Sequence, residues 1–273
     1  MSSIEKIGIL LRDYGETFLK GVAATLILAI VGTFVCLLIG VFVALQRNLV
    51  IKETDNKLVK CVKAFAKGLS SVYVNFFRGT PMMVQAMIIF FGSASVGINW
   101  LSLPNVWIFN GYFLCGLVVI TINTGAYMSE IIRSGLNGVD NGQEEASRAL
   151  GMSYFKTMVC VVMPQALRNA LPTILNEYIV NVKDSSVLNV IGLTELYASV
   201  SIATNRNYFK VEGYIIIAVI YLILTLMATF IVRIINAKLE GRKIQWNPFK
   251  KDKAIAIVDL ILLFLVSFSK ERR

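Results

Sequence analysis

The chain has 273 residues, 56% of them hydrophobic and 16% charged, with a formal net charge of +10. So apolar a composition excludes an ordinary soluble domain. There is no histidine, and the four cysteines have no paired spacing, so we expect neither a metal site nor disulfides. The basic residues lie beside long apolar stretches and form no face with interleaved aromatic residues, which argues against a nucleic-acid partner.

Three stretches of the sequence lack any charged residue, namely 21–45, 79–129 and 213–232. Each is long enough to cross a hydrocarbon core, which takes about 20 residues of helix, and the middle one is long enough to cross twice. Their hydrophobicity is continuous rather than alternating, which indicates helices and not the strands of a membrane barrel. The sequence therefore predicts an all-α, polytopic transmembrane bundle.

The positions of the basic residues predict the topology. We expect about five spans, in chain order at residues 22–45, 82–97, 111–129, within 171–203, and at 213–232. Positively charged loops stay in the cytoplasm, so the basic segment 47–78 and the basic residues after 232 are expected there. Residues 1–20 then form an extracytoplasmic N-terminal segment. By the same alternation, the mixed-charge segment 130–168 and the C-terminus are cytoplasmic.

The end of the chain does not fit as a further span. Residues 254–269 are apolar apart from Asp259, but they are slightly too few to cross a membrane. A crossing would also leave the terminal basic residues outside, against the charge rule. We assign residues 21–241 to one transmembrane domain and 242–273 to a basic and apolar tail, for which an interfacial helix is the simplest interpretation.

The segment 139–164 carries signals for a short helix with defined ends. Asp140 is a good N-cap, and Gln143 follows it at capping-box spacing. Glu144 and Glu145 fall in the predicted first turn, where an acidic residue interacts favourably with the helix dipole. Gly151 suits a left-handed C-cap. These signals alone do not separate a docking element from an ordinary, well-capped loop helix.

The same segment contains a longer, spaced pattern. It reads Glu145-Ala146-Ser147, three residues, Gly151, nine residues, Val161, one residue, Met163-Pro164. This resembles the EAA motif of the permease subunits of binding-protein-dependent ABC importers, which reads E-A-A, three residues, G, nine residues, I, one residue, L-P. The resemblance implies that the segment holds the coupling helix. The residues expected to couple the permease to an ATPase are then Glu145, Ala146, Ser147, Gly151 and Pro164.

Three further segments resemble the polar-amino-acid branch of this family. They are Phe77-Arg78-Gly79-Thr80-Pro81, similar to F-R-G-T-P; Ala126-Tyr127 with Glu130, Arg133 and Gly135, similar to A-Y-x-x-E-x-x-R-x-G; and Lys183-Asp184-Ser185-Ser186, similar to K-D-T-S. The resemblance extends over about residues 21–241. It implies a MetI-like permease fold and an amino-acid substrate.

The resemblance also implies the partners of the chain. They are a cytoplasmic ATP-binding subunit, an extracytoplasmic substrate-binding protein, a second permease subunit in a homodimer or heterodimer, and membrane lipid. The sequence has no G-x-x-x-x-G-K-[ST] phosphate loop. ATP and magnesium are therefore expected on the partner ATPase, and no cofactor is expected on this chain itself.

Five residues near the predicted membrane boundaries are candidates for the solute pathway or for gating. They are Arg78, Thr80, Glu130, Lys183 and Asp184. Arg78 also fits an anchor at the membrane surface, and Glu130 fits an i,i+3 ion pair with Arg133. Lys183 and Asp184 face a wet cavity or lie at the interface, depending on where the fourth span begins. The polar residues expected to bond helices together are Gln85, Asn123 and Thr124.

Three other classes of protein deserve comparison. An ion-coupled secondary transporter, with Asp184 or Glu195 carrying protons, explains the spans but not the capped loop helix, and no inverted repeat is found. An ABC permease for another small solute would share the EAA pattern. A membrane-embedded enzyme lacks support, because the sequence has no H-E-x-x-H motif and no paired carboxylates on a span.

Overall fold

The computed structural model of the protein describes residues 2–51, 53–103 and 105–239. In these ranges every regular element is helical, apart from one isolated bridge between Val106 and Phe109. The α-helices are α1 (Ser3–Arg47), α2 (Lys57–Gly79), α3 (Met82–Ser95), α4 (Gly111–Asn137), α5 (Asn141–Ala149), α6 (Tyr154–Thr157), α7 (Met163–Asp184), α8 (Leu196–Asn207) and α9 (Lys210–Leu239). The predicted tail at 242–273 lies outside the described residues.

Residues 1–232 form one compact unit, and the described residues after them continue α9. Four helical segments of the described chain are long and apolar enough to cross a membrane. They are Ser3–Arg47, Gly111–Asn137, Tyr154–Ile191 and Lys210–Ala237. Helices α2 and α3 are long and apolar enough to cross a membrane only when taken together, with a bend of 110° at the break between them. With this pair counted as one span, the described chain has the predicted five.

Helix α1 is longer than the first predicted span. It has 45 residues and is therefore about 67 Å long, roughly twice the thickness of a hydrocarbon core. Its first turn is fixed by a capping box between Ser2 and Glu5. Leu10 and Phe18 are buried against residues of α8 and α9. This packing explains why residues 3–20 are helical and continuous with the apolar part of α1.

Two stretches that the charge pattern predicts as cytoplasmic loops are largely helical. The first is α2, whose lysines donate to backbone carbonyls that follow α1: Lys60 Nζ to Glu53 O at 2.7 Å and Lys67 Nζ to Leu49 O at 3.1 Å. These bonds pair backbone carbonyls of the non-helical segment between α1 and α2. The second stretch is 154–168, which belongs to the helical segment that runs on to Ile191. The fourth span therefore begins earlier than predicted.

Helices α1 and α4 run in the same direction and pack closely. Gly32 lies against Ile120, and eight residues further along both helices Gly40 lies against Met128. A Cβ atom on Gly40 would lie 2.6 Å from Met128 Cγ, so only glycine permits this approach. Close packing at small residues is the usual contact between membrane helices, because lipid supplies no hydrophobic force to join them.

Helix α7 runs against α4. Thr124 Oγ1 donates to Asn181 Oδ1 at 2.8 Å, and nearer the C-terminal end of α4 Gly135 lies against Ala166. The residue numbers rise on one helix as they fall on the other, so the two helices are antiparallel.

The bent pair α2–α3 also runs against its neighbours. Ser70 in α2 donates to the side chain of Gln46 near the end of α1. Phe90 in α3 stacks on Tyr112 at the start of α4, with ring centroids 5.6 Å apart. Both halves of the pair therefore progress from the end of α1 towards the start of α4, as one crossing does.

Helix α9 starts beside the start of α1, where Lys6 Nζ and Glu212 Oε1 are 3.1 Å apart. Further along both helices, Thr25 of α1 and Tyr221 of α9 bond to the same carboxylate, that of Glu195, so α9 runs parallel to α1. The five crossings alternate in direction as α1, α2–α3, α4, α7 and α9. It follows that the end of α1, the start of α2 and helix α5 all lie on one side of the membrane.

Candidate functional site

Helix α5 lies in the loop between α4 and α7 and has defined ends. Asp140 is its N-cap, with Oδ1 accepting from Gly142 N at 2.7 Å. At the other end Gly151 has φ +80, and Met152 N donates to Ser147 O at 3.2 Å. This six-to-one bond is the signature of a Schellman motif. The predicted N-cap and left-handed C-cap are both confirmed.

Two details of the predicted helix are wrong. The Gln143 side chain does not complete a capping box; its Oε1 instead accepts from Gln165 Nε2 of α7 at 3.4 Å. Glu144 lies in the first turn as predicted, but Glu145 lies in the second turn. Because dipole effects fade beyond the first turn, Glu145 contributes little to the helix by that route.

The residues predicted to couple to an ATPase differ in their exposure to solvent. Ser147 is buried, and its Oγ donates to Gln143 O at 2.6 Å. Glu145 and Ala146 are exposed on α5. Just beyond them, Leu150 is 84% exposed. The loop thus presents a surface with an apolar side chain that nothing in the described chain covers.

Pro164 lies in the first turn of α7, one short helix beyond α5. It has no N–H to donate to the preceding turn, so the regular ladder is interrupted there. The residues just before it, Met158–Val162, form a π turn. Pro164 therefore lies inside the helical segment Tyr154–Ile191, directly after its π turn.

A charged cluster lies near the end of α4 that leads to α5. Arg47 Nη1 is 2.5 Å from Glu130 Oε1, and Arg78 Nη1 is 3.5 Å from the same oxygen. Arg133 Nη1 is 3.7 Å from Glu130 Oε2. The expected Glu130–Arg133 pair is present, but Arg47 is the closest partner. The Arg78 guanidinium also lies 5.4 Å from the ring centroid of Tyr127, a cation–π distance.

Side-chain bonds hold the bend between α2 and α3. Pro81 cannot donate to the turn before it, which leaves carbonyls of α2 without helical partners. Gln85 Nε2 donates to Phe77 O at 3.0 Å and to Thr80 O at 2.9 Å. Asn123 Nδ2 of α4 donates to Phe77 O at 3.2 Å and to Gln85 Oε1 at 2.8 Å. The predicted bonding of helices by Gln85 and Asn123 is confirmed.

A polar groove runs between α4 and α7. Among the side chains that line it are Asn123, Tyr127, Glu130 and Ser134 on α4, three or four residues apart, and Asn169, Thr173, Glu177 and Asp184 on α7, four or seven residues apart. Each set therefore shares one face of its helix. Two cavities lie along it. The cavity near the bend has a volume of about 310 Å³ and also includes Thr80. The cavity nearer α5 has a volume of about 340 Å³.

The structure separates Lys183 from Asp184. Asp184 is half-buried and lines the groove, whereas Lys183 is exposed and does not. Among the described residues no salt bridge joins them. The fourth span begins well before both residues, so the polar groove is the environment of Asp184.

Two charged residues of the site were not among the predicted candidates. Glu177 lines the groove together with Asp184, seven residues and two helical turns away. That spacing was a readable signal. Arg47 is the first charged residue after the uncharged stretch 21–45, but its partner is 83 residues away in sequence. No local pattern indicates such a contact.

The described residues contain no group of three or more histidine, cysteine, aspartate or glutamate side chains arranged to hold a metal ion. The polar groups of the groove are instead carboxylates, amides and hydroxyls spread along two helices. Such an arrangement suits the passage or transient binding of a polar solute.

Relatives and solved structures resemble the chain over most of its length. It is 38% identical to the arginine transport system permease protein ArtQ of Bacillus subtilis over 174 residues, 63% of this chain and 75% of ArtQ. It is 35% identical to the glutamine transport system permease protein GlnP of Escherichia coli K12 over 175 residues, 64% of this chain and 76% of GlnP. A crystal structure of an amino acid ABC transporter with histidines superposes with a TM-score of 0.70 at 33% identity, covering 84% of this chain and 97% of that one.

The methionine transporter MetNI in an inward-facing conformation shares the fold, with a TM-score of 0.64 at 20% identity over 82% of this chain and 96% of that one. The predicted MetI-like, all-α architecture is therefore confirmed. Residues 61–241 match the family described as the binding-protein-dependent transport system inner membrane component. The chain belongs to this family, and it is a multi-pass permease subunit of the cell membrane rather than an enzyme.

Proposed function

We propose that this permease carries an amino acid across the membrane along the polar groove between α4 and α7. The groove is the observation that supports this most directly, because it places polar side chains between residues 123–134 of α4 and 169–184 of α7, inside two spans. Ionisable groups at membrane depth are costly, and they usually mark the route of a polar solute. The named functions of the arginine and glutamine permeases are consistent with such a solute.

The end of the groove near the bend suits a positively charged group. Glu177 and Asp184 both line the cavity there, together with the hydroxyl of Thr80 and the amide of Asn123. Every amino acid carries an α-ammonium group, which these carboxylates can bind by charge-assisted hydrogen bonds. Thr80 and Asp184 are therefore proposed as pathway residues.

The partner ATPase is proposed to bind α5. Glu145 and Ala146 are exposed there, and Leu150 adds an apolar side chain beside them. A short helix closed by a cap at each end transmits force as a rigid body, whereas a frayed helix would absorb it. The chain has no phosphate-binding loop of its own. ATP and magnesium are therefore expected on that separate subunit.

The N-terminus is proposed to be extracytoplasmic. The lysine-rich first half of α2 lies on the same side as α5, and positively charged segments favour the cytoplasm. A substrate-binding protein would then deliver the amino acid to the opposite face. A second permease subunit would complete the translocation pathway.

Reconstitution tests this function. The permease, its ATPase and its binding protein are placed in liposomes, and uptake of radiolabelled L-arginine and L-glutamine is measured with and without enclosed ATP. We expect accumulation only with ATP, insensitive to proton and sodium ionophores. Uptake driven by an ion gradient without ATP would favour a secondary transporter. ATP-driven uptake of another solute, with no amino acid accepted, would contradict the proposed substrate.

A further inference from the structure

The cluster around Glu130 joins three elements that are far apart in sequence. Arg47 is the last residue of α1, Arg78 lies in the last turn of α2, and Glu130 belongs to α4. Arg47 and Arg78 share Glu130 Oε1, whereas Oε2 faces Arg133 on the same helix. The Arg47 side chain is 13% exposed, against 43% for each of the other two arginines. Its bond is the shortest of the three and the least screened by solvent.

Helix α4 connects this cluster rigidly to α5. Glu130 lies seven residues before the end of the helix at Asn137, a distance of about 10 Å. The same end of α4 is fastened to α7, since Asn169 Nδ2 donates to Gly138 O at 3.2 Å. Gly135 packs so closely on α7 that an added Cβ would lie 2.4 Å from Ala166 O. A displacement of α5 therefore moves α4 and α7 together.

The cluster also reaches the bend that lines the groove. Arg78 is followed by Gly79, Thr80 and Pro81, and the last two line the cavity beside Asp184. The bend has no continuous helical ladder across it, so its angle depends on side-chain contacts. Gln85 and Asn123 hold the bend through their bonds to Phe77 O. The contact of Arg78 with Glu130 holds the end of α2 to the part of α4 that leads to α5.

We propose that Arg47 is a positioning residue for transport: it holds the Glu130 carboxylate towards α1 and α2, so that Arg78 stays bound and movement of α5 reaches the bend. Without Arg47, Glu130 has Arg133 one turn away on its own helix as a competing partner. A carboxylate that turns to Arg133 leaves Arg78 and the bend without their link to α4. This inference rests on the proposed coupling of α5 to an ATPase.

The test compares Arg47→Gln with wild type in the reconstituted complex. The maximal rate of ATP-driven uptake of radiolabelled L-arginine or L-glutamine should fall about tenfold or more, as small misplacements far from a site do. The KM for the amino acid should stay unchanged, because Arg47 does not line the groove. ATP hydrolysis should continue, so that more ATP is consumed per solute. Arg47→Lys should recover part of the rate, since it keeps the charge but not the planar fork.

A second readout does not depend on which solute is carried. Spin labels at Ile30 in α1 and Met83 in α3, both exposed, should change their separation when ATP binds to the wild-type complex. In Arg47→Gln this change should be lost. Arg12→Gln removes an arginine from an exposed pair with Asp13 and should match wild type in every measurement.

A variant with wild-type maximal rate and wild-type ATP consumption per solute would overturn the inference. So would a change confined to KM, or a label separation that still responds to ATP in Arg47→Gln. If Arg47→Gln assembles poorly, Arg78→Gln decides the matter, because it breaks the same link at the Arg78–Glu130 contact. A lowered maximal rate with more ATP consumed per solute supports the link, and a wild-type rate in an assembled Arg78→Gln complex contradicts it. Failure of wild type to accumulate either amino acid, with the label response intact, would contradict the proposed substrate and not this link.

Discussion

The hydroxyl of Tyr221 in α9 donates a hydrogen bond of 2.7 Å to the carboxylate of Glu195, a side chain that is fully buried. The same carboxylate caps α8 by accepting from Tyr197 N and Ala198 N, both at 3.0 Å. Thr25 of α1 donates to it at 3.2 Å. Glu195 thereby fastens α8 to α1 and α9. Its four bonds favour this structural role over the proton carriage that an ion-coupled transporter would require.

The bond between these two residues predicts a stability difference. Tyr221→Phe leaves the carboxylate one donor short, which should cost about 1.5–3 kcal/mol, the usual range for a bond to a charged group. The thermal midpoint of the purified permease should fall. Tyr208→Phe makes the same change at a side chain that is 86% exposed and should leave the midpoint unchanged. Equal midpoints for the two variants would show that the bond contributes nothing.

Gly151→Val should disrupt the C-cap of α5 without a clash. A Cβ there meets no atom within 4 Å, but φ is +80, a conformation that a β-branched residue resists. We expect loss of uptake and weaker co-purification of the ATPase, while the permease still inserts in the membrane. Gly97→Val imposes the same strain at φ +83 in the loop between α3 and α4 and should leave ATPase binding intact. Normal uptake in Gly151→Val would refute the assignment of α5 as the coupling helix.

Gly40→Ala and Gly15→Ala should have opposite effects although both lie in α1. At Gly40 the new Cβ would overlap Met128, and overpacking of this kind costs about 1–3 kcal/mol. At Gly15 the Cβ meets nothing within 4 Å, so alanine should stabilise the helix by up to about 1 kcal/mol. Thermal midpoints in detergent measure both. Similar shifts for the two variants would contradict the close packing of α1 on α4.

Asp184→Asn should raise the KM for uptake. Loss of a charge-assisted bond worth about 1.5–3 kcal/mol corresponds to roughly tenfold or more in affinity. Lys183→Met, at the residue directly before Asp184, is the matched control, because Lys183 is exposed and does not line the groove. Its KM should stay near that of wild type. The double variant should equal Asp184→Asn, and a rescue of Asp184→Asn by Lys183→Met would show that the two charges pair after all.

Single-cysteine labelling in whole cells tests the orientation. In a background without the four native cysteines, Asn105→Cys and Tyr208→Cys should react with an impermeant maleimide added outside. Lys57→Cys and Gly142→Cys should react only after the cells are opened. Labelling of residue 57 from outside would invert the proposed topology.

The membrane class and the helical fold could be predicted from sequence, because lipid forces every backbone polar group to be satisfied within its own helix. Uncharged stretches then report the spans directly. The ends of α5 were also readable, since Asp140 and Gly151 act through bonds to residues within five positions. The predicted capping box is absent because the Gln143 side chain accepts a hydrogen bond from Gln165 of α7 instead.

The tertiary structure alone decided which polar residues share a site. Lys183 and Asp184 are neighbours in sequence, yet only Asp184 lines the groove, because adjacent helical positions point about 100° apart. Arg47 reached Glu130 across 83 residues, because parallel packing of α1 and α4 brought their ends together. From the sequence, the lysines of α2 predicted the cytoplasmic side of the membrane. In the folded chain two of them also donate to backbone carbonyls of the residues after α1. Local hydrogen bonds thus determined where each helix begins and ends. The packing of glycines against larger side chains determined which polar helix faces lie opposite each other.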